Sequence, residues 1–296
     1  MTAITVLIAC RNGEETLGET LAGIASQVFD QPWEVVLADN GSTDCSVAVF
    51  ERFAQGHPSL RMRIVDASGG AGKSFALNTG VAAAAGRAIV LNDADDVMAP
   101  GYLATLGRAL ERADLVGGGN EFTRLNPEWI FEIWPVREVR ERRPAPFPPY
   151  WPFVGGNSMG FTRTLFEAIG GFDVAYELQE DLDFCFRAQL AGYALEFLPE
   201  ATMHYRRRTD AAAIRRQSYN YGRYEVKLAR DYARFGPPAS GRWRRFFAGW
   251  VRVLMMAASE LVRRSATPAS RARLSRAYGW SLGQLVGVLQ FRAPPT

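Results

Sequence analysis

The first 120 residues alternate short apolar runs with longer stretches of helical period. The apolar runs are continuous, rich in β-branched residues and bounded by turn residues, as expected of strands buried on both faces. They are residues 4–9, 33–39, 61–67, 87–93 and 114–119. The stretches between them predict helices over 14–27, 44–55, 73–86 and 100–113, the last with Pro100 near its first position. This alternation predicts an α/β fold with a parallel sheet, helices on both faces, and ligands at the carboxyl ends of the strands.

The pattern breaks at residues 135–153, where six prolines exclude a regular helix or a central strand. We interpret this stretch as a loop that crosses the sheet, or as a lid. After it, the pattern predicts a strand at 155–163, helices at 164–171 and 180–192, and a strand at 193–199. From about residue 210 the chain changes to long helices with many arginines. We therefore predict an α/β domain over 1–208, with halves at 1–120 and 121–208, and a basic amphipathic helical region over 209–296.

The charge of the chain supports this division. The formal net charge is only +3, but residues 1–204 have a net charge of −12 and residues 205–296 have a net charge of +15. Hydrophobic residues make up 48% of the chain, an ordinary globular composition that argues against a disordered or fibrous protein. The split predicts two regions with different tasks.

The basic region contains two helical patterns. Between Trp243 and Leu261 apolar residues recur at helical spacing with arginines among them, and residues 277–291 are uncharged with Gly279, Gly283 and Gly287 four apart. One interpretation is a helical hairpin that packs on the α/β domain or on a second subunit. Another is peripheral attachment to an anionic membrane surface. Nucleic-acid binding is the weakest alternative, because no recognised motif supports it.

Cysteine usage and the first residues bear on location. The three cysteines, Cys10, Cys45 and Cys185, lie far apart and form no CxxC pair, which favours a reducing compartment and argues against a structural zinc site. The segment MTAITVLIAC has no basic region before its apolar run and predicts a strand, not a signal peptide. We therefore expect a cytoplasmic protein, in one interpretation peripheral on the inner face of the cytoplasmic membrane.

Four polar clusters follow predicted strands or open a predicted helix. They are residues 39–44 (DNGSTD), 69–74 (GGAGKS), 93–96 (DADD) and 180–183 (EDLD). Each alone is also typical of a solvated turn or a helix cap. Crowded carboxylates raise one another's pKa unless a cation lies among them, and a divalent ion such as Mg²⁺ or Mn²⁺ would relieve Asp93, Asp95 and Asp96. A metal beside a glycine-rich loop with a lysine is the arrangement needed to bind a diphosphate.

Five segments, in this order and spacing, resemble the nucleotide-sugar-dependent glycosyltransferases of family 2, which have the GT-A fold. They are TVLIACRNGEETLGETLAGIASQ, VVLADNGSTD, GGAGKSFALNTGV, IVLNDADD and GGFDVAYELQEDLDFCFRAQLAGY, and the resemblance covers residues 3 to about 208. It implies an inverting transfer, in which an acceptor hydroxyl attacks the anomeric carbon of the sugar and a nucleoside diphosphate leaves. It also implies that residues 1–120 bind the nucleotide sugar and that residues 121–208 bind the acceptor and carry the catalytic base.

The resemblance further implies roles for individual residues. The implied positions are Ala9, Arg11, Asp39, Asn40, Lys73, Asp93 and Asp95 for the nucleotide; Gly155, Gly156, Asn157 and Trp151 for the donor sugar or acceptor; Asp95, Asp93 and His204 for the metal; and Asp181 with Glu180 for catalysis. Many members have two aspartates where this chain has Asp39 and Asn40. This departure leaves the identity of the donor's nucleobase open. For His204 a structural role, and for Trp151 a packing role, stay open as alternatives.

The chemistry supports these assignments independently. A sugar hydroxyl is a poor nucleophile, so a positioned carboxylate is needed to accept its proton. Glu180 and Asp183 can raise the pKa of Asp181 towards a useful value by like-charge repulsion. The alternative for these three acids is a structural role in the first turn of a helix, where the helix dipole favours negative charge.

Three other functions compete with sugar transfer. Residues 67–74 (ASGGAGKS) fall one residue short of a Walker A motif, but a P-loop-like nucleotide hydrolase would leave residues 39–44 and 180–183 without a role. A nucleotidyltransferase would place a glycine-rich phosphate loop after the first strand, where residues 10–15 contain one glycine and two acids. A non-enzymatic sugar- or partner-binding module is the third alternative, and the intact acidic set argues against it.

The expected partners follow from this interpretation. The donor is a nucleoside-diphosphate sugar (UDP-, dTDP- or GDP-linked), and the acceptor is a glycan, a lipid-linked or a small-molecule hydroxyl. We expect a role in the synthesis of cell-envelope polysaccharide, glycolipid or another glycoconjugate. A homo-oligomer is a further expectation, and no nucleic acid is expected.

Overall fold

The computed structural model describes residues 3–134, 141, 143–145, 150–236, 241–263 and 267–296, and for 261–263 only the backbone. The chain divides into two compact units. The α/β unit comprises the described residues of Met1–Leu125 and Glu138–Arg206, and the helical unit comprises those of Asn126–Arg137 and Arg207–Thr296. Residues 126–134, the described part of its first segment, thus belong to the helical unit, although they lie inside the predicted domain of residues 1–208.

The α/β unit is built on an eight-stranded sheet. The strands are β1 (Ile4–Cys10), β2 (Trp33–Asp39), β3 (Arg61–Asp66), β4 (Ala88–Leu91), β5 (Val97–Met98), β6 (Leu115–Glu121), β7 (Met159–Thr162) and β8 (Leu195–His204). Their order across the sheet is β3-β2-β1-β4-β7-β6-β8-β5. The helices of this unit are α1 (Leu17–Ala25), α2 (Ser46–Gly56), α3 (Lys73–Ala83), α4 (Tyr102–Ala109), α5 (Arg163–Ala168) and α6 (Glu180–Leu190).

Strands β1 to β4 form the parallel part of the sheet and bring their carboxyl ends together. Residues such as Val6, Val36 and Val90 are fully buried, which agrees with continuous apolar runs covered on both faces. In the pairing register Cys10 lies opposite Asp39, and Asp39 lies opposite Asp66. The polar residues that follow these strands therefore gather at one edge.

The second half of the sheet is mixed, so the parallel arrangement predicted from the sequence holds for β1 to β4 and for the pair of β6 and β8. β7 is antiparallel to both β4 and β6, whereas β8 is parallel to β6 and antiparallel to β5. Because β7 runs the opposite way, its first residues lie at the edge where β4 and β6 end. The short 3₁₀ helix Gly156–Ser158, directly before β7, is thereby placed beside the acidic turn after β4.

One local expectation is wrong, and another falls mainly on residues that the structure does not describe. Helix α4 begins at Tyr102, not near Pro100, because Gly101 has a left-handed backbone (φ 80°) that separates the proline from the helix. Most of the proline-rich stretch at 135–153 lies outside the described residues. Where it is described, Ala145 and Phe153 form an isolated antiparallel bridge.

The helical unit contains three long helices, α7 (Ala211–Asp231), α8 (Arg242–Arg263) and α9 (Pro268–Phe291). In the described part of the chain, no helix is both long and apolar enough to cross a membrane. Residues 126–134 join the unit through Trp134. Its ring lies against the guanidinium groups of Arg207 and Arg276, which are 5.1 and 5.4 Å from the ring centroid. Arg276 also donates a hydrogen bond to the carbonyl oxygen of Ile133 (3.1 Å).

Helices α7 and α9 approach closely through glycines, as the spacing of Gly279, Gly283 and Gly287 predicts. A Cβ atom at Gly279 would overlap the carbonyl oxygen of Arg215, and one at Gly283 would overlap that of Tyr219. Gly222 on α7 makes the reciprocal approach to α9. The two backbones are therefore in direct contact, which only residues without a side chain permit.

We predict that Gly283→Ala lowers the thermal midpoint of unfolding by several degrees, because the added methyl must push α7 and α9 apart at a cost of about 1–3 kcal/mol. The matched control is Gly18→Ala in α1, where an added Cβ meets no atom within 4 Å. That variant should be neutral or slightly stabilised, by up to about 1 kcal/mol. Equal midpoints for the two variants, measured by circular dichroism, would contradict the packing described here.

Candidate functional site

The acidic turn after β4 lies at the centre of the carboxyl edge. One carboxylate oxygen from each of Asp93, Asp95 and Asp96 lies within 4.8 Å of the others. Asp93 and Asp95 are half-buried, whereas Asp96 is fully buried. Burial, followed by the charges of Asp95 and Asp93, raises the pKa of Asp96 well above its usual range. Three hard oxygen donors at this separation fit a divalent ion such as Mg²⁺ or Mn²⁺.

Asp96 is held by two donors from distant parts of the chain. Its Oδ1 accepts a hydrogen bond from the backbone N–H of Arg206 (2.7 Å), and its Oδ2 accepts one from Nδ2 of Asn157 (2.7 Å). Asn157 also donates to Oδ1 of Asn120 at the end of β6 (2.8 Å). The turn after β4 is therefore fastened to the start of β7 and to the ends of β6 and β8.

Arg206 is a residue that sequence reasoning missed. Its Nε donates to the carbonyl oxygen of Asp95 (3.0 Å), and its guanidinium pairs with Glu19 on α1. The available signal was its position a few residues beyond a predicted strand, in the segment TMHYRRR. That signal could not select Arg206 from its basic neighbours.

Lys73 lies between two groups of carboxylates. It is the first residue of α3, and its Nζ lies 2.6 Å from Oδ1 of Asp93 and 3.3 Å from Oε1 of Glu180. Burial lowers the pKa of Lys73, but the charges of Asp93, Glu180 and Asp181 outweigh it and raise the pKa well above the usual range. The lysine is thus a fixed positive charge that links the turn after β4 to the start of α6.

The start of α6 presents Asp181 to the same region. Oδ2 of Asp181 accepts a hydrogen bond from the N–H of Gly156 (2.9 Å), and its Oδ1 accepts one from the N–H of Leu182 (2.9 Å). Burial raises the pKa of Asp181, against the opposing effect of Lys73. Burial also raises the pKa of Glu180, to about 7.

The backbone around Asp181 is unusual on both sides. Gln179, which precedes α6, is a non-glycine residue with a left-handed backbone (φ 64°), and its buried Oε1 has no hydrogen-bond partner among the described residues. Gly156 lies so close that an added Cβ would be 3.4 Å from Nζ of Lys73 and 3.6 Å from Cβ of Asp181. The predicted residues Lys73, Gly156 and Asp181 are thus brought together.

The expected nucleotide residues lie at the ends of β1 and β2. Ala9 is half-buried in β1, and Arg11 is exposed just beyond it. The carboxylate of Asp39 accepts from the N–H of Ser42 (3.2 Å). Sequence reasoning placed all three next to the nucleoside, and that role stays a prediction.

Asn40 has its side chain turned into the loop before α3. Its Nδ2 donates to the carbonyl oxygens of Ala67 (2.6 Å) and Gly70 (2.7 Å), and its Oδ1 accepts from the N–H of Gly72 (3.1 Å). The side-chain oxygen of Asn40, the atom that could accept an N–H from a pyrimidine, thus already has a protein donor. Asn40 shapes the glycine-rich loop, and direct contact with a base stays a prediction.

The same loop bears on the nucleotide-hydrolase alternative. In a Walker A loop the backbone N–H groups face a phosphate and the final hydroxyl faces Mg²⁺. Here the N–H of Gly72 is bonded to Asn40, and Ser74 is buried with its hydroxyl donating to the carbonyl oxygen of Tyr176 (2.7 Å). This arrangement favours a structural role for the loop over a triphosphate cradle.

His204 and Trp151 have other contacts in the structure. Nδ1 of His204 lies 2.8 Å from Oε2 of Glu121, and His204 is not a member of the acidic group formed by Asp93, Asp95 and Asp96. Trp151 packs against Phe186, with ring centroids 5.7 Å apart. Metal ligation by His204 and sugar stacking by Trp151 both stay predictions.

Comparison with known proteins identifies matching families. A sequence profile described as "Glycosyl transferase family 2" matches residues 5–170, and one described as "Glycosyl transferase family group 2" matches residues 88–267. The putative glycosyltransferase EpsE of Bacillus subtilis is 27% identical over 227 residues, covering 74% of this chain and 77% of EpsE.

Two solved structures are similar in fold. The mannosyltransferase PcManGT of Pyrobaculum calidifontis, in complex with GDP-Man and Mn²⁺, has a TM-score of 0.63 at 20% identity and covers 97% of this chain and 87% of its own. TarS of S. aureus (residues 1–349), in complex with UDP-GlcNAc, has a TM-score of 0.54 at 14% identity and covers 96% of this chain and 92% of its own. The expected GT-A fold is confirmed.

We predict that Asn157→Ala destabilises the protein in a pH-dependent way. An acid whose pKa is raised on folding keeps its proton in the native state after the unfolded chain has released it, so stability falls as pH rises. Removal of the Asn157 donor raises the pKa of Asp96 further. Urea unfolding, followed by tryptophan fluorescence, should show a loss of about 1–3 kcal/mol at pH 8 and a smaller loss at pH 5.

The matched control is Asn78→Ala. Asn78 likewise makes two hydrogen bonds, but to backbone atoms: its Nδ2 donates to the carbonyl oxygen of Phe172 (2.8 Å) and its Oδ1 accepts from the N–H of Phe172 (2.9 Å). Neither bond involves a carboxylate, so its loss of stability should be the same at both pH values. The same pH-independence in Asn157→Ala would contradict the bond to Asp96.

Proposed function

This chain belongs to glycosyl transferase family 2, and we propose that it transfers a sugar from a nucleoside diphosphate to an acceptor hydroxyl with inversion at the anomeric carbon. That it is a glycosyltransferase follows from the family and from its named relatives. The finer proposal is supported by one observation: Asp181 lies beside Gly156 and Lys73, and Lys73 in turn contacts the acidic turn. A proton acceptor and a diphosphate-binding arrangement thus share one site.

In this proposal Asp181 is the general base. Direct displacement by a hydroxyl requires a carboxylate that removes its proton as the new bond forms. Hydrogen bonds to both oxygens hold Asp181 in place, and its raised pKa gives it a greater affinity for a proton than an exposed aspartate has. Glu180, whose pKa is raised to about 7, lies next to Lys73 and positions that cation.

We propose that Asp95 and Asp93 hold a divalent metal ion, with Asp96 as the buried support of the turn. Such an ion supplies positive charge that neutralises the leaving diphosphate. Lys73 adds a fixed positive charge at the same place, where negative charge develops in the transition state. PcManGT, which has a similar fold, binds GDP-Man and Mn²⁺. This supports the proposal but does not identify the metal of this chain.

The donor base and the acceptor stay open within this proposal. PcManGT binds GDP-Man and TarS binds UDP-GlcNAc, so the shared fold accommodates different nucleotides. We retain UDP-, dTDP- and GDP-sugars as candidate donors. Four further expectations stay predictions: the class of acceptor, a role in cell-envelope or other glycoconjugate synthesis, a homo-oligomer, and a cytoplasmic location.

We predict that Asp181→Asn lowers the turnover number of transfer by about 10²–10⁴-fold, because asparagine cannot accept the proton. Donor binding should change little, since the substitution preserves shape. Release of nucleoside diphosphate from a panel of nucleotide sugars with acceptor extracts measures the first effect, and calorimetric titration with the preferred donor measures the second.

Asp183→Asn is the matched control in the first turn of the same helix. Asp183 forms an ion pair with Arg187 (2.7 Å), so its carboxylate is already engaged within α6. We expect reduced stability with transfer largely retained. If Asp183→Asn abolished transfer and Asp181→Asn did not, the assignment of the base would be wrong.

We also predict that a chelator abolishes transfer and that added Mn²⁺ or Mg²⁺ restores it. Asp95→Asn should raise the metal concentration needed for half-maximal activity by at least tenfold, because a charged ligand is lost. The exposed Asp30→Asn should behave as the unmodified protein does. Full activity in excess chelator would overturn the metal proposal and leave the assignment of Asp181 standing.

A further inference from the structure

Helix α8 has a large apolar face that is exposed to solvent. Trp243, Phe247, Val251, Leu254 and Met255, here called the α8 face, are between 49% and 68% exposed. They recur at helical spacing and extend about 18 Å along one side of the helix. A contiguous exposed apolar patch of this extent usually marks an interaction surface.

Another part of the α8 surface has its own apolar contacts, so the α8 face is additional to what the helical unit needs for packing. Val253 is buried, and Trp250 packs edge-to-face on Tyr278 of α9, with ring centroids 6.2 Å apart. Gly249 lies against α9, since an added Cβ would be 3.3 Å from the hydroxyl of Ser281. Two apolar faces on one helix indicate two partners, of which α9 is one.

A groove lined by arginines lies beside the α8 face. It has a volume of about 600 Å³ and is lined by Arg252 of α8, by Arg273 and Arg276 of α9, and by the apolar side chains of Met256 and Trp280. We call this the arginine groove. Burial, followed by the charges of Arg207 and Arg252, lowers the pKa of Arg276. Glu132, 3.5 Å from Arg273, is the acid on its wall.

We propose that the α8 face and the arginine groove dock on the surface of an anionic lipid bilayer. The apolar side chains would enter the boundary between head groups and acyl chains, and the groove would hold lipid phosphates. Bulky apolar residues and arginines on one helix supply the two contributions, apolar burial and electrostatic attraction, that interfacial binding combines. Arginine suits this task because its planar guanidinium forms paired hydrogen bonds to phosphate.

Charge favours a bilayer over a second copy of this chain. A two-fold dimer buries the same patch of both subunits, so Arg244 and Arg252 of both copies would lie in one interface and concentrate positive charge there. Like charges brought together in this way oppose association. An anionic surface has the complementary charge for the same residues.

The test is flotation of the full-length protein with lipid vesicles. We expect binding to vesicles that contain phosphatidylglycerol, little binding to phosphatidylcholine alone, and a steep loss of binding as salt rises from about 0.1 M to about 1 M. Leu254→Glu removes apolar contact and Arg252→Glu reverses one charge. Each should lower the partition coefficient by about tenfold or more.

Two matched controls separate docking from general effects. Val28→Glu places an acid at an exposed apolar position of the α/β unit, and Arg216→Glu reverses an exposed charge on α7. Both should bind vesicles as the unmodified protein does, and circular dichroism should show all four variants folded with similar midpoints.

Three results would overturn the proposal. They are absent or equal binding to anionic and neutral vesicles, unchanged binding of both α8 variants, and a dimer in sedimentation velocity that Leu254→Glu dissociates. The last result would assign the α8 face to a second copy. None of these outcomes bears on Asp181 or the metal, because sugar transfer is measured separately.

Discussion

The burial of Asp96 is the constraint on which the candidate site depends. An ionised carboxylate without partners is very costly in a protein interior, so the side chain must either be protonated or receive hydrogen bonds. The donors are the amide of Asn157 and the backbone of Arg206. Meeting this requirement fixes the acidic turn relative to three strands, and through Asp93 it also fixes the position of Lys73. The half-buried carboxylates of Asp93 and Asp95 thus lie on a turn that these hydrogen bonds hold in place.

Much of the site could be predicted from the sequence because parallel strands place their carboxyl ends at one edge. The aspartates after β4 and the lysine that opens α3 follow this rule. The acids that open α6 follow another helix, α5, and were indicated by the family resemblance instead. The antiparallel course of β7 could not be predicted, because a short apolar segment does not show its direction. The contacts of Asn40 and Arg206 also escaped prediction, since a polar residue in a turn gives no sign of whether it faces a ligand or the protein.

The opposed charges of the two halves have a structural basis as well. In the α/β unit some of the acids lie at the candidate site, in the turn after β4 and at the start of α6. In the helical unit several arginines lie on aromatic rings, as Arg207 and Arg276 do on Trp134, and as Arg223 does on Tyr224. Such contacts let guanidinium groups pack within a protein and still keep their charge. The excess of arginine therefore contributes to the cohesion of the helical unit, beyond any attraction for a partner.

The bond between Asp96 and Arg206 spans 110 positions of the sequence. On a ribosome that adds about 5–20 residues each second, the acidic turn emerges roughly 5–20 s before its last donor has been made. Asn157 emerges about halfway through that interval, 61 positions after Asp96, and until then Asp96 has neither donor and must remain in water or carry a proton. The nascent chain can thus assemble the parallel half of the sheet early, whereas the site itself closes only when the end of β8 arrives. A stalled or truncated chain that ends before this strand would have the acidic residues of the turn without the framework that orients them.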